Sequence, residues 1–338
     1  VENLLRIDYP DFEIVFVDDG SKDNTFKNIE AQYGNNPKVK VFTKPNGGKA
    51  SALNYGIGFA SGDILVCIDA DTVLKPDAIS LMIPYFSDPM VAAVAGNVKV
   101  GNRKNLLTRW QSIEYITSQN FDRRAFDQMN AIMVVPGAIG AFRRDAVQKV
   151  GMFTTDTMAE DCDLTLRLLR SGYKVHTCNE AYAYTEVPET LNMLVKQRSR
   201  WTFGIMQSFW KHHDKMFVRT TPNLGWIVLP NMLVFQLILP VLSPLVDLTL
   251  LISLFLPKGG IIVALYFGYY FLDLIISAMA FRFDGERLTF RGAYNLFLQR
   301  ILYRQVLWFV LVKGYLRAIK GELAAWGFLK RTGNVETV

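Results

Sequence analysis

Two stretches in the last third of the chain are almost free of charge, and they limit the possible folds more than any other feature. Residues 220–257 carry one charged side chain, Asp247, and residues 259–281 carry one, Asp273. A helix crossing the hydrocarbon core of a bilayer needs about 20 mostly apolar residues, and both stretches reach that length. The competing arrangement is a pair of helices buried in a large soluble core. The averages describe a mixture: half of the 338 residues are hydrophobic and mean hydropathy is +0.15, yet 20% are charged.

The basic residues gather at the edges of these stretches: Lys211, Lys215 and Arg219 before the first, Arg282, Arg287 and Arg291 after the second, Arg317 and Lys320 beyond. That pattern suits cytoplasmic flanks and anionic headgroups, so the net charge of +6 is no sign of nucleic-acid binding. Pro230, Pro240 and Pro244 predict breaks, with an interfacial helix leading into one span. Pro257-Lys258-Gly259-Gly260 reads as an outer turn, after which 259–281 returns. Residues 294–316 hold Arg300, Arg304 and Lys313 and read as either a channel-lining span or an interfacial helix. Asp247 and Asp273 either line a polar path or lie near a headgroup layer. Cys67, Cys162 and Cys178 are odd in number and lack metal-type spacing, which reads as reduced thiols. Val1–Leu5 reads as the end of a helix already under way.

Before the apolar third, short strands alternate with helices. Phe12–Val17, Val39–Thr43, Ile64–Ile68 and Val91–Val94 read as strands, and Asp23–Tyr33, Lys49–Ala60 and Ala78–Phe86 as helices. This order predicts an α/β domain with a doubly wound, mostly parallel sheet, in which ligands gather at the carboxyl ends of strands. Leu106–Met129 reads as a long helix, Met133–Phe142 as strand-like, and Asp161–Arg170 and Leu191–Phe209 as helices.

Acidic clusters stand at two of those strand ends. Asp69-Ala70-Asp71 offers hard oxygen ligands for Mg²⁺ or Mn²⁺ on a diphosphate, or is a solvated turn. Asp18-Asp19-Gly20-Ser21 can accept the imide N–H of a uracil, or can cap the following helix. Asn46-Gly47-Gly48-Lys49 brings backbone and one cation to a helix start, as a phosphate contact or as a plain turn. Glu160-Asp161 opens a helix, where acids either stabilise the dipole or supply the base that inverting sugar transfer requires. Gln197, Arg200 and Trp201 share one helix face. Arg there can offset a leaving diphosphate and Trp can carry a pyranose; alternatively, the helix lies on a membrane surface with snorkelling Arg and interfacial Trp.

In this order the motifs resemble the processive family 2 glycosyltransferases, which include cellulose, chitin, hyaluronan and poly-N-acetylglucosamine synthases. The likeness covers residues 1–330, and segments 191–256 and Trp326–Gly333 lean towards the poly-N-acetylglucosamine type. It implies a GT-A catalytic domain over 1–218, membrane or interfacial helices over 219–316, and a cytosol-facing or interfacial tail over 317–338. It also implies a multi-pass protein of the cell membrane with its catalytic domain in the cytoplasm. The expected ligands are a UDP-sugar donor, a growing polysaccharide, Mg²⁺ or Mn²⁺ and the lipid bilayer, with accessory export subunits and no nucleic acid.

By matched position, the resemblance puts Asp18 on uracil with Asp19 beside it, Lys49 near the nucleotide, Asp69 on ribose and Asp71 on the metal. Asp161 would be the general base, with Glu160 beside it. Gln197, Arg200 and Trp201 would hold diphosphate and acceptor, and Gly137 and Gly140 would belong to a loop lining the acceptor site. Ala159 stands where the family often has Thr, and the family's first strand is expected to precede Val1. The rivals are a polyprenyl- or dolichyl-phosphate sugar synthase and a non-catalytic nucleotide-binding membrane subunit.

Overall fold

The computed structural model describes residues 1–257 and 259–319. Two sheets organise the first part. β1 (Ile14–Asp18) and β2 (Val39–Thr43) pair in parallel. The second sheet contains β3 (Ile64–Cys67), β4 (Thr72–Leu74), β5 (Val91–Val100), β6 (Gly140–Arg143) and β7 (Lys174–Thr185), in the order β3-β6-β5-β7-β4. β5 and β7 are parallel, while β6 runs antiparallel to β3 and β5, and β4 runs antiparallel to β7. The α/β class holds, but the larger sheet is mixed where the alternation predicts a mostly parallel one. The cause is local. Strand-like character over 133–142 condenses to Gly140–Arg143, which enters from a loop and pairs in reverse.

β5 is buried along its whole length, since helices or strands cover both its faces. The long predicted helix after it is real but irregular: Leu106–Glu114 and Phe121–Asp127 are joined through a π-helical segment, Tyr115–Asn120. Asn105 starts it, its side chain accepting from the Thr108 N–H while the Thr108 hydroxyl accepts from the Asn105 N–H, a reciprocal cap.

The apolar third forms two helices, Leu224–Ser253 and Gly259–Phe283, which among the described residues are long and apolar enough to cross a membrane. Only 6% of each apolar window is buried inside the protein. Helices of a soluble core would be covered, and among the described residues these two are not. The prolines do not break the first helix. Wider π-helical turns at Leu224–Val228 and Met232–Ile238 precede Pro230 and Pro240, and such turns make room for a proline ring. Leu224, Val228, Leu229 and Met232 are buried in the α/β core. The part beyond, residues 233–253, rises about 30 Å at about 1.5 Å per residue, close to one hydrocarbon thickness.

The second helix returns to the α/β unit. Lys99 on β5 pairs with buried Asp284, and Asn97 donates to the same carboxylate at 2.9 Å. Arg103 grips Glu286 with two hydrogen bonds of 2.8 and 2.7 Å. Both ends of the apolar hairpin are therefore fixed to the α/β unit.

Residues 290–319 form a third helix, with a π-helical segment at Gln299–Tyr303, that packs along the hairpin. Arg300 makes a bidentate pair with Asp273 at 2.9 and 3.0 Å. Arg304 pairs with Asp247, which also accepts from Gln305 at 2.6 Å. The two acids of the apolar stretches thus bind cations of this helix. The 317–338 tail, including Trp326–Gly333, lies outside the described residues from Lys320 onward.

Candidate active site

Asp18 ends β1 and is 4% exposed. Its carboxylate accepts from the Ser21 N–H at 3.2 Å and the Thr43 hydroxyl at 3.0 Å. Burial pushes this carboxyl up, but the hydrogen bonds from Ser21 and Thr43 outweigh it and hold Asp18 below the usual range. The group is an ionised acceptor at a strand end.

Asp19 shapes the neighbouring loop. It accepts from the Gly47 and Gly48 N–H groups at 3.0 and 2.8 Å and from Lys44 at 2.7 Å. Asn46 donates to its carbonyl at 2.9 Å. Gly20 has φ +75°, and a Cβ there would lie 2.8 Å from the Asn46 nitrogen, so only glycine lets the two loops approach. This contact sets Lys49 at the start of the Lys49–Phe59 helix.

Lys49 is the hub. Its ammonium pairs with Asp69 and lies 3.5 Å from Glu160. Burial would lower its pKa, but the charges of Asp69, Glu160 and Asp161 hold it well above the ordinary lysine range. Glu160 is 6% exposed, and burial together with Asp161 pushes its carboxyl up against the pull of Lys49. The Gly137 N–H donates to Asp161 at 3.3 Å, and a Cβ on Gly137 would strike the Lys49 ammonium and lie 3.7 Å from Asp69. Segments around residues 49, 69, 137 and 160 therefore meet in one place.

Asp71 is half-buried just before β4, where the Thr72 N–H closes a turn onto the Asp69 carbonyl at 3.0 Å. Among the described residues no three His, Cys, Asp or Glu side chains gather as a metal cage. A divalent ion on a nucleotide commonly takes one or two carboxylates and completes its shell with phosphate oxygens and water. The Asp69–Asp71 turn fits that donor chemistry.

Gly140 departs from the expected loop. It is a buried residue of β6, and a Cβ there would lie 2.7 Å from Val135 and 2.9 Å from Phe142. Its smallness serves packing beneath the Gly137 loop. Gln197 is 5% exposed on the Leu191–His212 helix, with Arg200 and Trp201 one turn further on and half-buried. The half-buried Trp201 indole packs against the buried cluster that includes β5, β7 and Ile139.

The family described as glycosyltransferase like family 2 matches residues 1–204. The chain belongs to this family. Poly-beta-1,6-N-acetyl-D-glucosamine synthase of Staphylococcus aureus (strain COL) is 38% identical over 205 residues, which is 60% of this chain and 50% of that protein. The synthase of the same description from Staphylococcus epidermidis is 35% identical over 215 residues, 62% of this chain and 52% of the relative. The chain spans about half the length of these relatives. Among solved structures, the mannosyltransferase PcManGT from Pyrobaculum calidifontis, in complex with GDP-Man and Mn2+, superposes with a TM-score of 0.65. It is 20% identical and covers 95% of this chain and 82% of its own, which establishes a shared GT-A fold.

Two features of this family 2 site are not visible in the motifs. Gly204 lets the Leu191–His212 helix cross directly over the segment before Glu160: a Cβ there would lie 2.6 Å from the Ala159 Cβ and 2.7 Å from its nitrogen. Gln207 accepts from the Met158 N–H at 2.8 Å on the same crossing. An isolated glycine inside a helix was the available signal. Gly204→Ala forces backbone apart and lowers stability by about 1–3 kcal/mol, against a helix-propensity gain of about 1 kcal/mol. Chemical denaturation checks the sign, and a stabilised Gly204→Ala protein would contradict the crossing.

The second feature corrects a role. Lys211, expected at anionic headgroups, is instead bound to Asp156 at 2.8 Å and to buried Asp163 at 3.0 Å. Asp163 also accepts from Arg167 and Thr154 at 2.8 Å each and bonds His212 at 3.0 Å. This network ties the Glu160–Arg170 helix to the far end of the Leu191–His212 helix.

Proposed function

We propose that the chain is the catalytic part of a membrane-bound inverting glycosyltransferase that adds N-acetylglucosamine from a UDP-sugar to a growing β-linked polysaccharide. The observation that carries this reading is the meeting of Lys49, Asp69, Gly137, Glu160 and Asp161 in one cluster beside the Asp69–Asp71 turn. The polymer and sugar are taken from the staphylococcal relatives, and the need for a divalent ion is in keeping with the Mn2+ beside GDP-Man in the mannosyltransferase.

In the proposed reaction Asp18 accepts the uracil imide N–H and Asp69 contacts ribose. Asp71 would hold Mg²⁺ or Mn²⁺, which offsets diphosphate charge when bound. Asp161 takes the proton of the acceptor hydroxyl as its oxygen attacks the anomeric carbon, and the bond to UDP breaks on the opposite face. Inversion turns an α-linked donor into a β-linked product. Arg200 balances charge on the departing diphosphate, and Gln197 and Trp201 hold the acceptor. The apolar hairpin, with its basic flanks, would seat this site on the cytoplasmic face of the cell membrane, and export subunits would meet the polymer beyond it.

The test uses membranes containing the chain, Mg²⁺ and separate labelled UDP-sugars, with GDP-mannose as a control. UDP release with UDP-N-acetylglucosamine and a high-mass β-linked product are expected. A lipid-extractable single sugar would point to the polyprenyl-phosphate rival, and no UDP release from any donor would remove the enzyme reading. Chelation by EDTA lowers UDP release by about a hundredfold or more, and added Mn²⁺ restores it. Full activity in excess chelator would contradict the role given to Asp71.

A further inference from the structure

Arg198 stands between the motif residues Gln197 and Arg200 and has no part in the proposed chemistry. It is 5% exposed, and its guanidinium lies 4.2 Å over the Trp201 ring. It donates to Glu114 at 2.8 Å, and the Tyr303 hydroxyl donates to the same carboxylate oxygen at 2.7 Å. Arg198 and the Tyr303 hydroxyl are themselves 3.4 Å apart. Tyr303 is 2% exposed, with its ring 6.0 Å from Trp110, and one turn earlier Gln299 donates to the Trp110 carbonyl at 3.0 Å.

The three residues come from different parts of the molecule. Arg198 and Trp201 share the Leu191–His212 helix, Glu114 ends the Leu106–Glu114 helix, and Tyr303 belongs to the 290–319 helix that Arg300 and Arg304 bind to the hairpin. A buried ion pair adds little net stability over a well-packed apolar replacement, because both charges lose water. Its distinctive property is orientation: a planar guanidinium held by a carboxylate presents a fixed flat face. Here that face carries an indole.

We propose that Arg198 is a positioning residue for Trp201, aimed by Glu114 and Tyr303, so that engagement of the sugar acceptor depends on how the 290–319 helix is seated. The proposal rests on the reading of Trp201 as an acceptor platform. The donor side of the site, with Asp18 on β1, Lys49 at the start of the Lys49–Phe59 helix and Asp69 and Asp71 in the turn before β4, is built on other elements.

The experiment compares the wild-type chain with Arg198→Lys and Tyr303→Phe in membranes. Initial rates of UDP release are measured while UDP-N-acetylglucosamine and a β-linked N-acetylglucosamine oligosaccharide are varied in turn. Arg198→Lys keeps the charge but loses the flat face, and raises the acceptor KM about tenfold. The donor KM moves by less than about twofold, since one side of the site alone is disturbed. Tyr303→Phe removes a single hydroxyl without changing packing and shifts the acceptor KM in the same direction by about threefold. The double variant matches Arg198→Lys, because both act through one contact. Donor and acceptor KM rising together, a fall in kcat alone, or multiplying effects in the double variant would overturn the proposal. If Arg198→Lys does not accumulate, an unshifted acceptor KM in Tyr303→Phe overturns it as well. Absence of UDP release by the wild type from any UDP-sugar is a different result: it removes the enzyme reading itself.

Discussion

Asp161→Asn lowers sugar transfer by about 10²–10⁴-fold, the range expected when a positioned base is removed, and leaves UDP binding within about twofold. The amide is the same size and keeps an oxygen to accept from the Cys162 N–H, now at 2.8 Å. What it lacks is the capacity to take a proton. Asp161 is half-buried at the first turn of its helix, and it is reached by the Gly137 backbone, so an acceptor hydroxyl can approach it. Glu160 is the nearest alternative base, but it is buried and faces Lys49. Labelled-sugar incorporation and equilibrium UDP binding, measured on one membrane preparation, separate the two effects. Turnover above about a tenth of wild type would contradict the assignment of Asp161 as the base.

The largest effect on stability is expected at Asp163, which has no solvent exposure. Asp163→Ala leaves Arg167, His212 and Lys211 without their shared carboxylate and costs about 3–5 kcal/mol. For a catalytic unit of this size that corresponds to a fall of about 10 °C in Tm. Asp156→Ala removes the exposed partner of Lys211 and costs less than about 1 kcal/mol. Thermal unfolding of the two variants in the same detergent makes the comparison, and equal losses would contradict a load centred on the buried acid. The pH dependence has a definite sign. Burial pushes the Asp163 carboxyl up, but His212, Arg167, Thr154 and Lys211 together hold it well below its ordinary value. A depressed folded-state pKa means that its stabilisation is complete above the unfolded value of about 4 and is lost as pH falls towards the folded one.

Much of the first sheet and its acidic turns was legible because the signals are local. Val39–Thr43 is both the predicted and the observed strand, and the acidic turns stand at strand ends as the alternation of elements requires. Sheet direction was not legible, because antiparallel entry of β6 depends on a loop path and not on residue pattern. β7 escaped for another reason. Its twelve residues mix His176, Asn179 and Glu180 with apolar positions, and partners remote in sequence settle some of its polar groups: His176 bonds Asp127 at 2.7 Å, and the Asn179 carbonyl accepts from Asn97 at 2.8 Å. The prolines misled in the apolar third because their cost depends on whether a wider turn can form ahead of them. Arg198, Gly204 and Asp163 each depend on a contact with another element, Glu114, Ala159 and His212 respectively, and spacing along the chain does not reveal those partners.

In the proposed reaction nucleotide, metal and base share a single location. A cryo-EM map of the membrane-embedded chain with UDP and Mn²⁺ tests this most directly. The expected map has uracil against Asp18, the metal on Asp71, and the diphosphate end within reach of Asp161. Nucleotide density on the far side of the sheet, or a metal held away from Asp71, would contradict it.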